Sequence, residues 1–294
     1  MKHRLFILPL MLLVGLSSAA LAVTPTPKAI YTDPLPDKAH PARMEVVHIP
    51  SGDVKINGVA YLASGAGAHP TMIFFHGWPG NEKNLDLAQA VRRAGWNVVT
   101  LNYRGSWGSP GNFRFAQNLD DADAALAFVR EPANAAKLGI DPKRLVIAGH
   151  SMGGWVTAMT AEHDKGIIGA ILISAANMGK EGSLPRADLV ALSAGNMESL
   201  AGVTAETMAD ELAQNAPLFD WDKNAGSLTT TPLLALTSDD GLAPNVDALA
   251  TAIKAKGGEQ ITVVHVATDH SWSDKRIRLQ SEVINWLGAL LKKT

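Results

Sequence analysis

The stretch Arg144-Leu-Val-Ile-Ala-Gly-His-Ser-Met-Gly-Gly-Trp155 constrains this chain more than any other. A short apolar run ends in an abrupt turn, Gly149-His-Ser-Met-Gly153, and a helix-compatible segment, Trp155 to Glu162, follows. Gly-x-Ser-x-Gly between a strand and a helix is the context in which a serine hydroxyl is raised above a sheet as a nucleophile. So sharp a turn strains the serine backbone, and side chains at Gly149 and Gly153 would clash with the neighbouring strand and helix. The helix N-terminus behind Ser151 favours developing negative charge. A serine presented in this way needs a base, an acid and an oxyanion hole, and the rest of the chain is read for those three.

A length of 294 residues and a net charge of −2 suit one globular domain with a sizeable core. That charge gives no reason to expect nucleic acid or an anionic membrane surface as a partner. The chain has no cysteine, which excludes disulfides, a thiolate nucleophile and a lipid-modified cysteine. Lys2, His3 and Arg4 precede an uncharged run from Leu5 to Leu16, which ends in the small-x-small pattern Ala20-Leu-Ala22. This pattern predicts a cleavable signal peptide over residues 1–22. The run is shorter than the roughly 20 apolar residues of a membrane span, so no stable anchor is expected after cleavage. A secreted or periplasmic location follows as an expectation. Prolines 25, 27, 34, 36 and 41 then predict an extended leader over residues 23–43.

From residue 44 to 294 the pattern is that of a layered α/β domain. Met44–Ile49 and Val54–Leu62, joined by Pro50-Ser-Gly-Asp53, read as an antiparallel hairpin. Short continuous apolar runs follow at Thr71–Phe75, Asn97–Leu101, Arg144–Ala148, Gly169–Ser174, Leu233–Thr237 and Ile261–Ala267. Most are followed by helical stretches, at Asn84–Ala94, Leu119–Arg130, Pro244–Lys256 and Lys275–Leu291 among others. The expected fold is a mostly parallel, eight-stranded sheet with helices on both faces. Residues 175–231 break the rhythm, with helix-like stretches at Asp188–Ala194 and Ala205–Asn215. An insertion after a strand's C-terminal end lies where open α/β sheets bind ligands, so this one reads as a small helical lid, with an elaborated crossover that makes no contact with substrate as the alternative.

Strand–helix alternation around such an elbow resembles the α/β-hydrolase superfamily of serine hydrolases from residue 44 to the C-terminus. The resemblance implies an acid and then a base following the serine in chain order. Relatives often show Asp-x-x-x-Pro at the acid turn, and here Ser238-Asp-Asp-Gly-Leu-Ala-Pro244 selects Asp240, with Asp239 as the competitor. The base should lie in the loop after the last strand, Thr268-Asp-His-Ser-Trp272, which offers His270. His265 is the alternative, but its alternating position inside a strand suits a packed or surface histidine better. His150 points away from the serine by turn geometry. The other histidines show no metal-ligand spacing, and neither metal nor cofactor is expected.

The oxyanion hole needs two backbone N–H groups. One comes from Met152, after the nucleophile. The loop His76-Gly-Trp-Pro-Gly-Asn81 resembles the family's His-Gly-x loop, which makes Trp78 the second donor, since Pro79 has no N–H to give. A further stretch, Asn102-Tyr-Arg-Gly-Ser-Trp-Gly-Ser-Pro-Gly111, resembles a loop common in esterases and related peptidases of this fold. There Arg104 and Ser109 are expected to brace the oxyanion loop, and Trp107 and Trp78 to wall an apolar pocket.

The resemblance therefore implies an exported serine hydrolase acting on a small-molecule or peptide acyl substrate through an acyl-enzyme, with an ester as the first choice of bond. An amide or peptide bond is the alternative. Dehalogenase relatives carry Asp where Ser151 stands, and dienelactone-type relatives carry Cys. A non-catalytic binding protein on the same scaffold would usually lack a triad member, whereas here every role has a candidate.

Overall fold

Each apolar run of the sequence forms a strand in the computed structural model, which describes residues 25–293. The expected signal peptide lies outside the described residues. The strands are β1 (Arg43–Ser51), β2 (Val54–Leu62), β3 (His69–Phe75), β4 (Asn97–Leu101), β5 (Ile140–His150), β6 (Gly169–Ile173), β7 (Leu233–Thr237) and β8 (Ile261–His265). They form one eight-stranded sheet in the order β1-β2-β4-β3-β5-β6-β7-β8. β2 pairs antiparallel with both β1 and β4, and the other pairings are parallel. Ser51 and Val54 close the first hairpin across Gly52 and Asp53.

The strands are apolar throughout because both faces are covered. Along β3, Ile73 and Phe75 join one core while Met72 and Phe74 join the other; β5, β6 and β7 divide in the same alternating way. One core is closed by α2 (Phe115–Arg130), α3 (Pro132–Leu138), α4 (Met152–His163) and α8 (Ala243–Ala255). The other is closed by α1 (Leu85–Arg93) and α9 (Arg276–Leu290). Among the described residues no helix is long and apolar enough to cross a membrane.

Several elements differ from the sequence reading: β5 begins at Ile140 rather than Arg144 and α2 at Phe115 rather than Leu119, and two further differences have a clear physical cause. α4 begins at Met152 rather than Trp155, because Gly153 and Gly154 are helical despite glycine's low propensity. Packing overrides propensity here: a Cβ at Gly153 would overlap the Phe75 carbonyl, and one at Gly154 the Ala175 side chain. The short helix α3 was not expected. Its signals are local: Pro132 at the first turn, the Glu131 side chain accepting from Asn134 N–H, and left-handed Gly139 ending it.

Between β6 and β7 the chain leaves the sheet and forms α5 (Met178–Glu181), α6 (Arg186–Ala194), α7 (Ala205–Phe219) and a 3-10 turn, Trp221–Leu228. α7 opens with a capping box between Thr204 and Thr207. This segment is tied to the loop after β4 by backbone hydrogen bonds: Ala201 N–H to Gly105 O (2.7 Å), Phe113 N–H to Ala201 O (2.9 Å) and Trp107 N–H to Ser199 O (3.0 Å). Residues before β1 carry one 3-10 turn, Lys28–Ile30, held by Arg93 donating to Ala29 O.

Candidate active site

The parallel register sets the C-terminal ends of five adjacent strands level with one another. Phe75 pairs with Gly149, His150 with Ile173, Ile173 with Leu236, and Thr237 with His265. Ser151, Met152, Trp78, Asp240 and His270 all follow just beyond these pairs. Hydrogen bonds across the strand ends hold the loops in place, with Ser151 N–H on Ile173 O (2.9 Å), Ser174 N–H on Leu236 O (2.8 Å) and Asp239 N–H on Thr268 O (3.0 Å).

Ser151 sits at φ 58° and ψ −123°, outside the conformations a serine prefers. The flanking glycines make that turn possible, since a Cβ at Gly149 would overlap the Gly153 carbonyl. Gly77 stands equally close, and a Cβ there would come to 3.4 Å from Ser151 Oγ. The Gly77–Trp78 peptide is thereby set against the serine. The Met152 N–H opens a helix and has no acceptor within it. Neither it nor the Trp78 N–H donates to a protein acceptor among the described residues. Two free donors beside Ser151 are what a developing oxyanion requires.

Two Asp–His pairs stand at the ends of β7 and β8. His270 Nδ1 donates to Asp240 Oδ2 at 2.8 Å, and His265 Nε2 meets Asp239 Oδ1 at 3.0 Å. The two acids left open by the sequence therefore have separate histidines. Only the Asp240–His270 pair lines a cleft with Ser151. Burial raises the Asp240 pKa, but hydrogen bonds from His270, the Leu242 N–H and Ser238 outweigh it and hold the carboxyl at about 2. Among the described residues no hydrogen bond joins Ser151 Oγ to His270. Such contacts commonly tighten only when substrate is present.

Behind Asp240 runs a buried chain that sequence reading missed. Trp272 Nε1 donates to Ser174 Oγ (3.0 Å), Ser174 Oγ lies 2.7 Å from Ser238 Oγ, and the Ser238 hydroxyl stands near enough to Asp240 to help lower its pKa. Because the indole can only donate, Ser174 passes its proton toward Ser238, and Ser238 toward the carboxylate. His150 points away from Ser151 and donates its Nε2–H to the His270 carbonyl at 2.8 Å. Burial, with His270 close by, lowers its pKa to about 3, so it is neutral and fixes the loop that carries His270.

The bracing of the oxyanion loop differs from the sequence reading. Arg104 turns away to α2, its Nε and its backbone N–H both donating to Asp121 (2.7 and 2.8 Å). Ser109 accepts from Asn57 N–H and donates to Asn102 O. The loop is held instead by Tyr103 Oη donating to His76 O (3.3 Å), Ser106 Oγ against His76 Nε2 (3.4 Å) and Trp107 Nε1 donating to Pro79 O (2.6 Å). Burial lowers the His76 pKa to about 4, so its neutral ring can donate from Nδ1 to Gly77 O and accept from Ser106 at Nε2. Trp107 is thus a brace under the Lys83 ammonium rather than a pocket wall, while Trp78 does line the cleft.

Two clefts meet at Ser151 and His270. The wider, of about 320 Å³, lies under α5 and α6 and is lined by Met178, Glu181, Leu192, Asn196 and Leu242 among others. The narrower, of about 170 Å³, runs between the 77–82 loop and His150 and Ser271. An acyl-transfer site needs two such arms, one for the acyl part and one for the leaving group.

Comparison with known proteins bears on the family and the fold. A family model described as the alpha/beta hydrolase family matches residues 72–279. Carboxylesterase NlhH of Mycobacterium tuberculosis is 35% identical over 109 residues, which cover 35% of this chain and 32% of that protein. The match thus spans about a third of the length of such curated relatives. Among solved structures, EstE1, a thermostable carboxylesterase cloned from a metagenomic library, superposes with a TM-score of 0.65 at 23% identity, covering 86% of this chain and 90% of that one. A puromycin-hydrolyzing peptidase of Mycobacterium tuberculosis also reaches 0.65, at 18% identity, covering 87% of this chain and 40% of that one. At these identities the two structures establish the fold.

Proposed function

We propose, from the premise that the chain belongs to the alpha/beta hydrolase family, that it is an exported serine hydrolase cleaving a carboxylic ester through an acyl-enzyme. The observation that carries this reading is the Asp240–His270 hydrogen bond, opening on the same cleft as the strained Ser151. In the mechanism, Ser151 Oγ attacks the carbonyl carbon while His270 Nε2 accepts its proton. Asp240 holds His270 in the tautomer with the proton on Nδ1 and stabilises the imidazolium. The Met152 and Trp78 N–H groups receive the oxyanion, each such donor contributing about 2.7–4 kcal/mol to the transition state. The imidazolium then protonates the leaving alcohol, and water resolves the acyl-enzyme by the same steps.

The likeness to a carboxylesterase favours an ester. A likeness to a peptidase of the same fold keeps an amide as the second reading. Wild-type protein should be labelled by a fluorophosphonate probe and Ser151→Ala should not. Labelling that persisted in the mutant would remove Ser151 from the nucleophile's role, and a folded wild type that failed to label would favour a non-catalytic scaffold. A series of p-nitrophenyl esters beside aminoacyl-p-nitroanilides separates the two bonds. Export predicts a mature N-terminus near Val23 on protein recovered from the periplasm or medium. An intact Met1 there would contradict cleavage.

A further inference from the structure

The wider cleft contains a carboxylate that the proposed mechanism does not use. Glu181 closes the short helix α5 and lines the cleft beside Met178 and Leu192. Its carboxylate is half-buried and has neither hydrogen bond nor ion pair among the described residues. Other cleft carboxylates are engaged: Asp240 with His270, and Glu82, on the narrower arm, with the Asn84 N–H. Burial raises the Glu181 pKa, with no opposing cation among the described residues.

The fold keeps the obvious partner away. Lys180, the preceding residue, is drawn to the opposite side by Asp220 (3.4 Å) and Asp222 (3.3 Å). Asn177 caps α5 and donates from Nδ2 to the same Asp220 at 2.8 Å. The turn is wedged from both sides, since a Cβ at Gly179 would overlap Asp220 and one at Gly182 the Leu212 carbonyl. The α5 turn that carries Glu181 is thus fixed on its far side, and Glu181 lines the cleft. Asn196, which lines both arms, donates one of its two amide N–H groups to Leu192 O at 2.8 Å, and its carbonyl oxygen accepts no hydrogen bond among the described residues. No Lys or Arg lines either arm.

An apolar cleft with an unpaired, preorganised carboxylate and no cation is complementary to a ligand that brings its own positive charge. We infer that Glu181 is a specificity residue, and that the natural substrate is an ester carrying an ammonium group which pairs with it when the carbonyl sits at Ser151. The inference rests on the serine-hydrolase reading for its kinetic part and on binding alone for the rest.

Two pairs of substrates differ only in charge: butyrylcholine against 3,3-dimethylbutyl butyrate, and p-nitrophenyl 6-aminohexanoate against p-nitrophenyl heptanoate. The wild type should favour the cationic member of one pair by about tenfold in kcat/KM. Glu181→Gln, which keeps the side chain's shape, should bring that ratio close to one. In parallel, butyltrimethylammonium is titrated calorimetrically into Ser151→Ala and into Ser151→Ala/Glu181→Gln, both checked by thermal melting. Binding should weaken about tenfold with the second change. Ratios near one in both wild-type pairs, a preference retained by Glu181→Gln, or ammonium binding indifferent to that substitution would each overturn the inference. If the wild type hydrolysed no ester at all, the ester reading would fail, and the titration would still decide whether Glu181 is a cation site.

Discussion

Two Asp–His pairs lie side by side in this molecule, built from acids adjacent in sequence, and their hydrogen bonds differ by only 0.2 Å, at 2.8 Å for Asp240–His270 and 3.0 Å for Asp239–His265. Their surroundings differ far more. The Asp239 and His265 side chains are 60% and 50% exposed, whereas that of Asp240 is 5% exposed. Asp240 also accepts the Leu242 N–H at 2.9 Å and is backed by the Ser238–Ser174–Trp272 chain. An exposed pair is screened by water and worth about 0–1 kcal/mol. A carboxylate fixed by several donors can orient an imidazole and stabilise its charge. Burial, backing and a shared cleft, rather than the pairing itself, distinguish a candidate catalytic dyad from a surface contact.

The largest expected effect separates the two acids directly. Asp240→Asn should lower kcat on p-nitrophenyl butyrate on the order of 10⁴-fold, since an amide favours the wrong tautomer of His270. The same change at Asp239 should leave kcat within about twofold. A comparable loss at Asp239 would reverse the assignment.

The backing chain comes next. Ser174→Ala would strand the Trp272 indole N–H in a fully buried site and break the relay to Ser238. A stability loss of about 1–3 kcal/mol in urea denaturation is expected, with a smaller fall in kcat than Asp240→Asn gives. Unchanged stability would mean that the indole finds another acceptor, and that the chain does not support the acid.

The pH dependence of stability follows from the depressed pKa of Asp240. A carboxyl lowered from 3.8 to about 2 on folding stabilises the protein above its unfolded pKa and loses that contribution as pH falls through the folded value. The wild type should therefore lose roughly 1–2 kcal/mol from this group between about pH 4 and pH 2, solvent screening allowed for. Asp240→Asn should lack that part of the slope. Parallel melting curves of the two proteins across this range would refute the assignment.

How much of this could be read from the chain depends on how far apart the interacting groups lie. Strands covered on both faces are continuous apolar runs, so Leu233–Thr237 and Asn97–Leu101 could be bounded to the residue. The elbow is legible because its glycines answer a steric demand that no other residue meets. Asp240 and His270 could be nominated only through a family resemblance: chain order for both, and for Asp240 the Asp-x-x-x-Pro spacing to Pro244. The Trp272–Ser174–Ser238 chain joins residues 98 and 64 positions apart, and nothing local marks it. The resemblance of residues 102–111 to a family loop implies Arg104 as a brace of the oxyanion loop. The buried Asp121 carboxylate of α2 draws it elsewhere, a direction only packing decides. Glu181 is equally silent in sequence, since nothing local marks that it lines the cleft while Lys180 beside it pairs with Asp220 and Asp222.

The smallest effect sharpens the comparison most. His265 Nδ1 lies 3.0 Å from Thr237 Oγ1 at the end of β7, so the outer pair touches the strand that carries Asp240. If the two pairs were coupled through that strand end, removing His265 would disturb the turn and lower activity. If they are independent, as exposure and separate partners imply, His265→Ala should cost at most about 1 kcal/mol of stability and leave kcat/KM within about twofold. A double-mutant cycle with Ser174→Ala in urea denaturation decides between these cases. Additivity within about 0.5 kcal/mol keeps the outer pair a surface contact, and a larger interaction energy would make it part of the support for Asp240.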